Sequence, residues 1–108
     1  MTIWQDELQL EFERAEQARA KGNQGQARVC ARRAAGVAIR EYLTRRGTCP
    51  PNASAYDLLN LIKDDAHLSP DLKLIVGHLT ARVTDEFKLP INADLVAEAK
   101  QLCDALLK

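Results

Sequence analysis

Residues 27–43 of this 108-residue chain read ARVCARRAAGVAIREYL, a run in which small residues recur between arginines. Alanine has the highest helix propensity and no proline interrupts the run, which therefore predicts the middle of a long helix. Small side chains also let the backbones of neighbouring helices come close. We expect a central helix of a bundle, from Gln24 or Gly25 to Arg46, with neighbours on more than one side.

The first helix is predicted ahead of the central one, from Ile3 to Lys21. Thr2 and Gln5 have the spacing of a capping box, in which each side chain binds the backbone N–H of the other residue. Gly22 and Asn23 should then end the helix, because both residues tolerate left-handed backbone.

Prolines and polar caps divide the second half of the chain into three further helices. Gly47 and Pro50-Pro51 separate the central helix from a third helix, predicted from Ala55 to about Asp64. Either Ser54 or Asn52 is expected to be its N-cap.

The fourth helix has the clearest start, with Ser69 as N-cap and Pro70 in the first helical position. It is predicted to end before Leu89-Pro90. Asn92 is then expected to cap the last helix. The apolar stripe of that helix consists of Leu95, Ala99, Leu102 and Leu106.

Composition supports one helical domain. Apolar residues make up 46% of the chain and aromatic residues only 5%, so the core must be built from aliphatic side chains. No segment has the alternating pattern of a strand, and short connections favour antiparallel neighbours. The sequence predicts a single all-α domain over residues 1–108, an antiparallel bundle of four or five helices.

Several functional classes are disfavoured by the same composition. Basic and acidic residues number 15 each, so the formal net charge is zero, and no apolar run is long enough to cross a membrane. No signal-peptide pattern is present. Cys30, Cys49 and Cys103 are widely spaced and form no CxxC pair. We therefore expect a soluble, cytoplasmic protein with reduced thiols, without a metal or cofactor.

Positive charge is concentrated on the central helix. Six arginines against one acid, Glu41, give residues 24–47 a local net charge of +5. Arginine forks match phosphate oxygens, which favours a phosphate- or RNA-binding surface. The candidates are Arg28, Arg32, Arg33 and Arg40. The alternative is a solvated face whose arginines pair with acids of the first helix. Those acids are Glu11, Glu13 and Glu16.

Arg82 is the second candidate, at the edge of the apolar stripe of the fourth helix. A long cation in such a position either reaches solvent or finds a buried partner. It could bind phosphate in a cleft, and a structural ion pair is the alternative. The side chains that could pair with Arg82 are Tyr56, Asp57, Asp85 and Glu86.

Neither of the two histidines belongs to a recognisable catalytic motif. His67 is predicted in an exposed polar loop, and His78 on the fourth helix away from its main apolar stripe. The sequence around neither histidine has a Ser or Cys that suggests a nucleophile–base pair, and there is no glycine-rich phosphate loop. The sequence therefore shows no complete catalytic site.

The order of these features resembles that of HEPN-type domains. Residues 27–43, after the Gly22-Asn23 turn, resemble the long alanine-rich second helix of the family. Residues 56–61 (YDLLNL) are similar to its His-Asp-Leu-x-x-Leu segment. Residues 81–83 and 94–99 (ARV and DLVAEA) resemble parts of its arginine-bearing fourth helix and its last helix. The likeness covers roughly residues 6–107.

This resemblance implies a helical bundle that is commonly a homodimer. Several HEPN-type domains are metal-independent RNases that use an arginine followed by four to six residues and a histidine. Others are inert partners of a minimal nucleotidyltransferase or bind RNA. Arg82 matches the arginine, but Phe87, Lys88 and Leu89 stand where the histidine would fall, and Tyr56 stands where the family often has histidine.

The missing histidine favours a non-catalytic binding or adaptor module, since no general acid–base group would be present. An RNase with an altered active site around Arg82 is one alternative. Another is a TPR-like interaction module built on residues 18–34, against which the absence of a second copy counts.

Overall fold

The computed structural model describes residues 3–80 and 94–107, and within these ranges it contains five α-helices and no strand. The helices are α1 (Trp4–Ala20), α2 (Gln24–Arg45), α3 (Ala55–Ile62), α4 (Pro70–Thr80) and α5 (Leu95–Leu106). The predicted all-α bundle is confirmed. The predicted end of the fourth helix, before Leu89-Pro90, lies outside the described residues. No helix in these ranges has the length and apolar character needed to cross a membrane.

Helix α2 is central, as predicted, because it packs against each of the other four helices. Its buried surface consists mainly of small residues, namely Ala27, Cys30, Ala31, Ala34, Ala35, Gly36 and Ala38. At Gly36 the start of α3 comes so close that an added Cβ atom would lie 2.7 Å from the Cβ of Ala55 and 3.0 Å from its Cα. Small side chains therefore allow several helices to share one neighbour.

The core lies between α2 and the other three helices that follow it. The largest fully buried side chains are Cys30, Ile39, Leu58, Leu59, Ile62, Val76, Leu79 and Leu102. Helix α1 contributes only Ala15 and Ala18 to this core, and it packs mainly against α2. This leaves part of the surface of α2 uncovered, including several of its arginines.

Two of the predicted helix ends are confirmed by the same backbone motif. Gly22 and Gly47 have positive φ angles of 77° and 73°. At the end of α1, the N–H of Asn23 donates to the carbonyl of Ala18 at 2.8 Å, and the N–H of Gly22 donates to that of Arg19 at 2.9 Å. These are the two bonds of a Schellman motif, and α2 ends with an equivalent pair.

Of the two N-caps considered for α3, Ser54 is the one observed, and Ser69 caps α4 as predicted. The Ser54 hydroxyl accepts from the N–H of Asp57 at 3.1 Å, and the Asp57 carboxylate accepts from the N–H of Ser54 at 3.2 Å. Ser69 accepts from the N–H of Leu72 at 3.3 Å. Each serine thus satisfies a backbone donor that the first turn leaves without a partner.

Three predicted boundaries need correction. The N-cap of α1 is Ile3, which makes no side-chain capping bond, and Thr2 lies outside the described residues. Helix α3 ends at Ile62, earlier than the predicted Asp64. The N-cap of α5 is Asp94, whose carboxylate accepts from the N–H of Ala97 at 3.1 Å, so the helix begins later than the prediction based on Asn92. Asp and Asn are equally good N-caps, so propensity alone does not separate them.

Candidate functional site

The candidate arginines of α2 lie on two different faces of the helix. Arg33 and Arg40 are seven residues apart, close to two full turns, and both are exposed. Arg28 and Arg32 are one turn apart and only partly exposed. The two pairs are separated by roughly 100° around the helix axis. The structure therefore does not place all four on one surface.

Arg32 has a structural role that the sequence did not reveal. Its Nε donates to the carbonyl oxygen of Leu79 on α4 at 2.7 Å. Burial lowers the pKa of Arg32, the nearby charge of Arg28 lowers it further, and Tyr56 acts in the opposite direction. The guanidinium stays charged, since arginine is not deprotonated in proteins. This hydrogen bond joins α4 to α2.

Arg33 and Arg40 are in a different situation. Neither forms an ion pair within the described residues, although both are exposed. The acids of α1 that were considered as partners interact elsewhere. Glu11 pairs with Arg14 at 3.3 Å, Glu16 pairs with Lys100 at 3.2 Å, and Glu13 accepts a hydrogen bond from Gln9. These three acids therefore leave Arg33 and Arg40 without an ion pair in the described part of the chain.

Arg45, at the end of α2, and Arg46, which follows it, both have partners for their guanidinium groups. Arg45 lies 3.0 Å from Glu41 on the preceding turn, and its guanidinium lies over the ring of Trp4 at 5.5 Å from the centroid. Arg46 donates to the hydroxyl of Tyr42 at 2.6 Å. Among the described residues, the exposed arginines of α2 without an ion pair are thus Arg33 and Arg40.

A cleft of about 630 Å³ opens beside Arg40. One wall is formed by Arg40 and Thr44 of α2. The other wall is the loop that leads to α3, with the remaining lining residues Gly47, Cys49, Pro50, Pro51, Asn52 and Ala53. Pro50 and Pro51 were predicted only as helix breakers, but they also form an apolar side of this cleft.

A polar network ties the loop after α3 to the end of α2. The Tyr42 hydroxyl donates to Asp65 at 2.9 Å, and Asp65 also accepts from the backbone N–H of His67 at 2.8 Å. This N–H bond is the main cause that lowers the pKa of Asp65, while burial is the main cause that raises the pKa of Tyr42. His67 is exposed, as predicted. The hydrogen bonds of Asp65 near it connect the loop to the end of α2.

His78 has a partner that the sequence did not predict. Its Nδ1 lies 2.5 Å and 3.0 Å from the two carboxylate oxygens of Glu98 on α5. A carboxylate at one ring nitrogen fixes the orientation of the imidazole. Among the described residues, His78 hydrogen-bonds to Glu98 alone, so a nucleophile held by this histidine is not found there. The pair joins α4 to α5.

The predicted phosphate site at Arg82 lies outside the described residues, as do Arg82, Asp85 and Glu86. Of its other two predicted partners, Tyr56 is 41% exposed on α3. Asp57 is engaged in the capping box with Ser54. The carboxylate of Asp57, which was considered as a partner of Arg82, thus caps the first turn of α3.

Comparison of the chain with protein-family models, with curated proteins and with solved structures finds no match. Within the described residues, the protein is an all-α bundle around one small-residue helix.

Proposed function

We propose that this protein is a non-catalytic, HEPN-like binding or adaptor module whose α2 surface holds the phosphate backbone of RNA. The observation that carries the proposal is the exposure of Arg33 and Arg40 on one face, with no ion pair in the described residues. Arginine side chains without carboxylate partners keep their donors available for another anion.

The chemistry of this face fits the phosphates of a nucleic-acid strand. Guanidinium groups bind phosphate oxygens in a bidentate fork and are only weakly hydrated. Arg33 and Arg40 are separated by roughly 10 Å along the axis, at 1.5 Å per residue, which allows each to hold a separate phosphate of one strand. The arginines are not interleaved with aromatic residues, so the expected binding is insensitive to base sequence.

The HEPN-like resemblance supports two further parts of the proposal. It favours a homodimer, which would present two copies of the arginine face, and it makes a nucleotidyltransferase the alternative partner. Light scattering on the purified chain tests the first part, since a monomer at high concentration would contradict it. Co-purification with a nucleotidyltransferase tests the second.

We propose a non-catalytic role for the protein because the chain lacks the histidine expected after Arg82. Incubation of the protein with mixed RNA, alongside Arg82→Ala, tests the alternative of an altered RNase. Cleavage by the wild type that disappears in Arg82→Ala would replace the present proposal with a catalytic one.

Binding is tested by fluorescence anisotropy with a labelled single-stranded RNA oligomer. Arg33→Ala and Arg40→Ala should each weaken binding about tenfold, the loss expected for a charged hydrogen bond. Arg14→Ala is the matched control, because Arg14 is an exposed arginine of α1 paired with Glu11. Equal affinity of all three variants and the wild type would refute the proposed surface.

A further inference from the structure

The cleft beside Arg40 has a mixed lining. Arg40, Thr44 and Asn52 supply a guanidinium, a hydroxyl and an amide, and each of these groups can donate a hydrogen bond. Pro50 and Pro51 supply an adjacent apolar surface. Its volume of about 630 Å³ lies in the range of small-molecule sites, roughly 300–1,000 Å³.

The charge of the lining favours an anion. None of the lining residues in the described part of the chain is a carboxylate, and Arg40 is the only one that is charged. The cleft lies near the C-terminal end of α2, where free carbonyl groups would repel an anion. Two of these carbonyls, from Leu43 and Thr44, are occupied by the backbone N–H groups of Thr48 and Gly47 at 3.0 Å each.

We propose that this cleft is a binding site for the terminal phosphate of a nucleotide, with the phosphate held by Arg40, Thr44 and Asn52 and the nucleoside against Pro50-Pro51. A phosphate monoester can accept from three donors at once, which a backbone diester does less well. The proline surface gives the sugar and base an apolar contact that the open arginine face lacks.

This inference rests in part on the proposed function, because Arg40 belongs both to the arginine face and to the cleft. Two kinds of ligand could supply the terminal phosphate, namely a phosphorylated end of an RNA strand or a free nucleotide. For an RNA end, the strand would continue from the cleft along α2 towards Arg33. A free nucleotide would need the cleft alone.

The test compares RNA oligomers of one sequence that carry a 5′-phosphate, a 3′-phosphate or neither. We expect one phosphorylated form to bind about tenfold more tightly than the unphosphorylated form, the gain from added charged hydrogen bonds. AMP at saturating concentration should remove this advantage. A titration with AMP alone, followed by NMR at the amides of Thr44 and Asn52, separates a free nucleotide from an RNA end.

Two variants test the residues of the cleft. Thr44→Val removes the hydroxyl and keeps the shape of the side chain. Asn52→Gly removes the amide and suits the positive φ of 58° at this position. Each should reduce the affinity ratio between phosphorylated and unphosphorylated oligomers towards one, whereas Arg14→Ala should leave the ratio unchanged. Circular dichroism confirms that the variants are folded.

The outcomes separate the two proposals. Equal affinity for all oligomers together with no binding of AMP, while RNA binding is still lost in Arg33→Ala, overturns the cleft site and leaves the arginine face standing. AMP binding that is lost in Thr44→Val, with no binding of any oligomer, supports the cleft and overturns RNA binding. A phosphate preference that persists in both Thr44→Val and Asn52→Gly overturns the site as assigned.

Discussion

Gly36→Ala tests the packing of α2 against α3, on which the position of the cleft loop depends. The added Cβ would lie 2.7 Å from the Cβ of Ala55 and 3.0 Å from its Cα. Non-bonded carbon atoms prefer about 3.5–4.0 Å, so the closer contact falls short by roughly 1 Å. Because Ala55 follows Ser54, whose capping box with Asp57 fixes the first turn, α3 must move as a unit.

The magnitude follows from two opposing effects. Overpacking costs about 1–3 kcal/mol, and replacing glycine by alanine inside a helix stabilises by at most about 1 kcal/mol. The clash involves a backbone atom, so we expect a cost in the upper part of this range. The net loss in the free energy of unfolding should be about 1–2 kcal/mol, and Tm should fall by roughly 5–10 °C.

Urea denaturation followed by far-ultraviolet circular dichroism measures this loss. Gly25→Ala is the matched control on the same helix, because its nearest atoms would be side-chain atoms at 3.8 Å and 3.9 Å. It should be neutral or slightly stabilising. Adding Ala55→Gly to Gly36→Ala should restore part of the stability, since it removes the Cβ at 2.7 Å. If Gly36→Ala is as stable as Gly25→Ala, the close approach of α3 to α2 is refuted.

Three further predictions concern thiols, pH and the core. Burial, and to a lesser extent the charge of Asp104, raises the pKa of the Cys103 thiol to about 12, so iodoacetamide should label the partly exposed Cys49 before Cys103. Equal labelling of the two thiols in mass spectrometry of the native protein would contradict this. The pKa of Asp65 is lowered in the folded state, so its carboxylate stabilises the fold above the unfolded pKa of about 4, and this stability is lost as pH falls through the lower folded pKa. Asp65→Asn should therefore be less stable than the wild type at neutral pH, by a difference that shrinks in acid, and a difference that stays constant with pH would contradict this prediction. Leu58→Ala, at a fully buried position, should lower the free energy of unfolding by about 2–5 kcal/mol in urea melts, and a loss below about 1 kcal/mol would be inconsistent with this packing.

Much of the fold could be predicted from the sequence because local signals determine it. Gly22, Gly47, Ser54 and Ser69 end or begin helices through bonds to residues only three to five positions away. The small residues of α2 indicated its central place before any contact was known. The last helix was misplaced because Asp94 and Asn92 are both good caps.

The candidate site could be predicted only in part. Helix periodicity puts Arg33 and Arg40 on one face, but it does not show where α1 lies against α2. The bond from Arg32 to Leu79 joins residues 47 positions apart, and that from His78 to Glu98 joins residues 20 apart. Such contacts depend on how helices pack, and no local sequence pattern predicts them.

The cleft depends on tertiary structure in the same way. The prolines after α2 predict a break in the helix, but the direction of the loop follows from its end at Ser54 and from the contact of Ala55 with Gly36. Pro50 and Pro51 line the same cleft as Arg40. The sequence thus contains the residues of the cleft without indicating that they face one another.

The most direct test of the arginine face is the salt dependence of RNA binding. The logarithm of the affinity for single-stranded RNA should fall with the logarithm of the salt concentration by about 0.7 per phosphate neutralised. The double variant Arg33→Ala/Arg40→Ala should therefore have a slope shallower than that of the wild type by about 1.4, while Arg14→Ala keeps the wild-type slope. Identical slopes for all three proteins would contradict the claim that exposed guanidinium groups on α2 hold the phosphates.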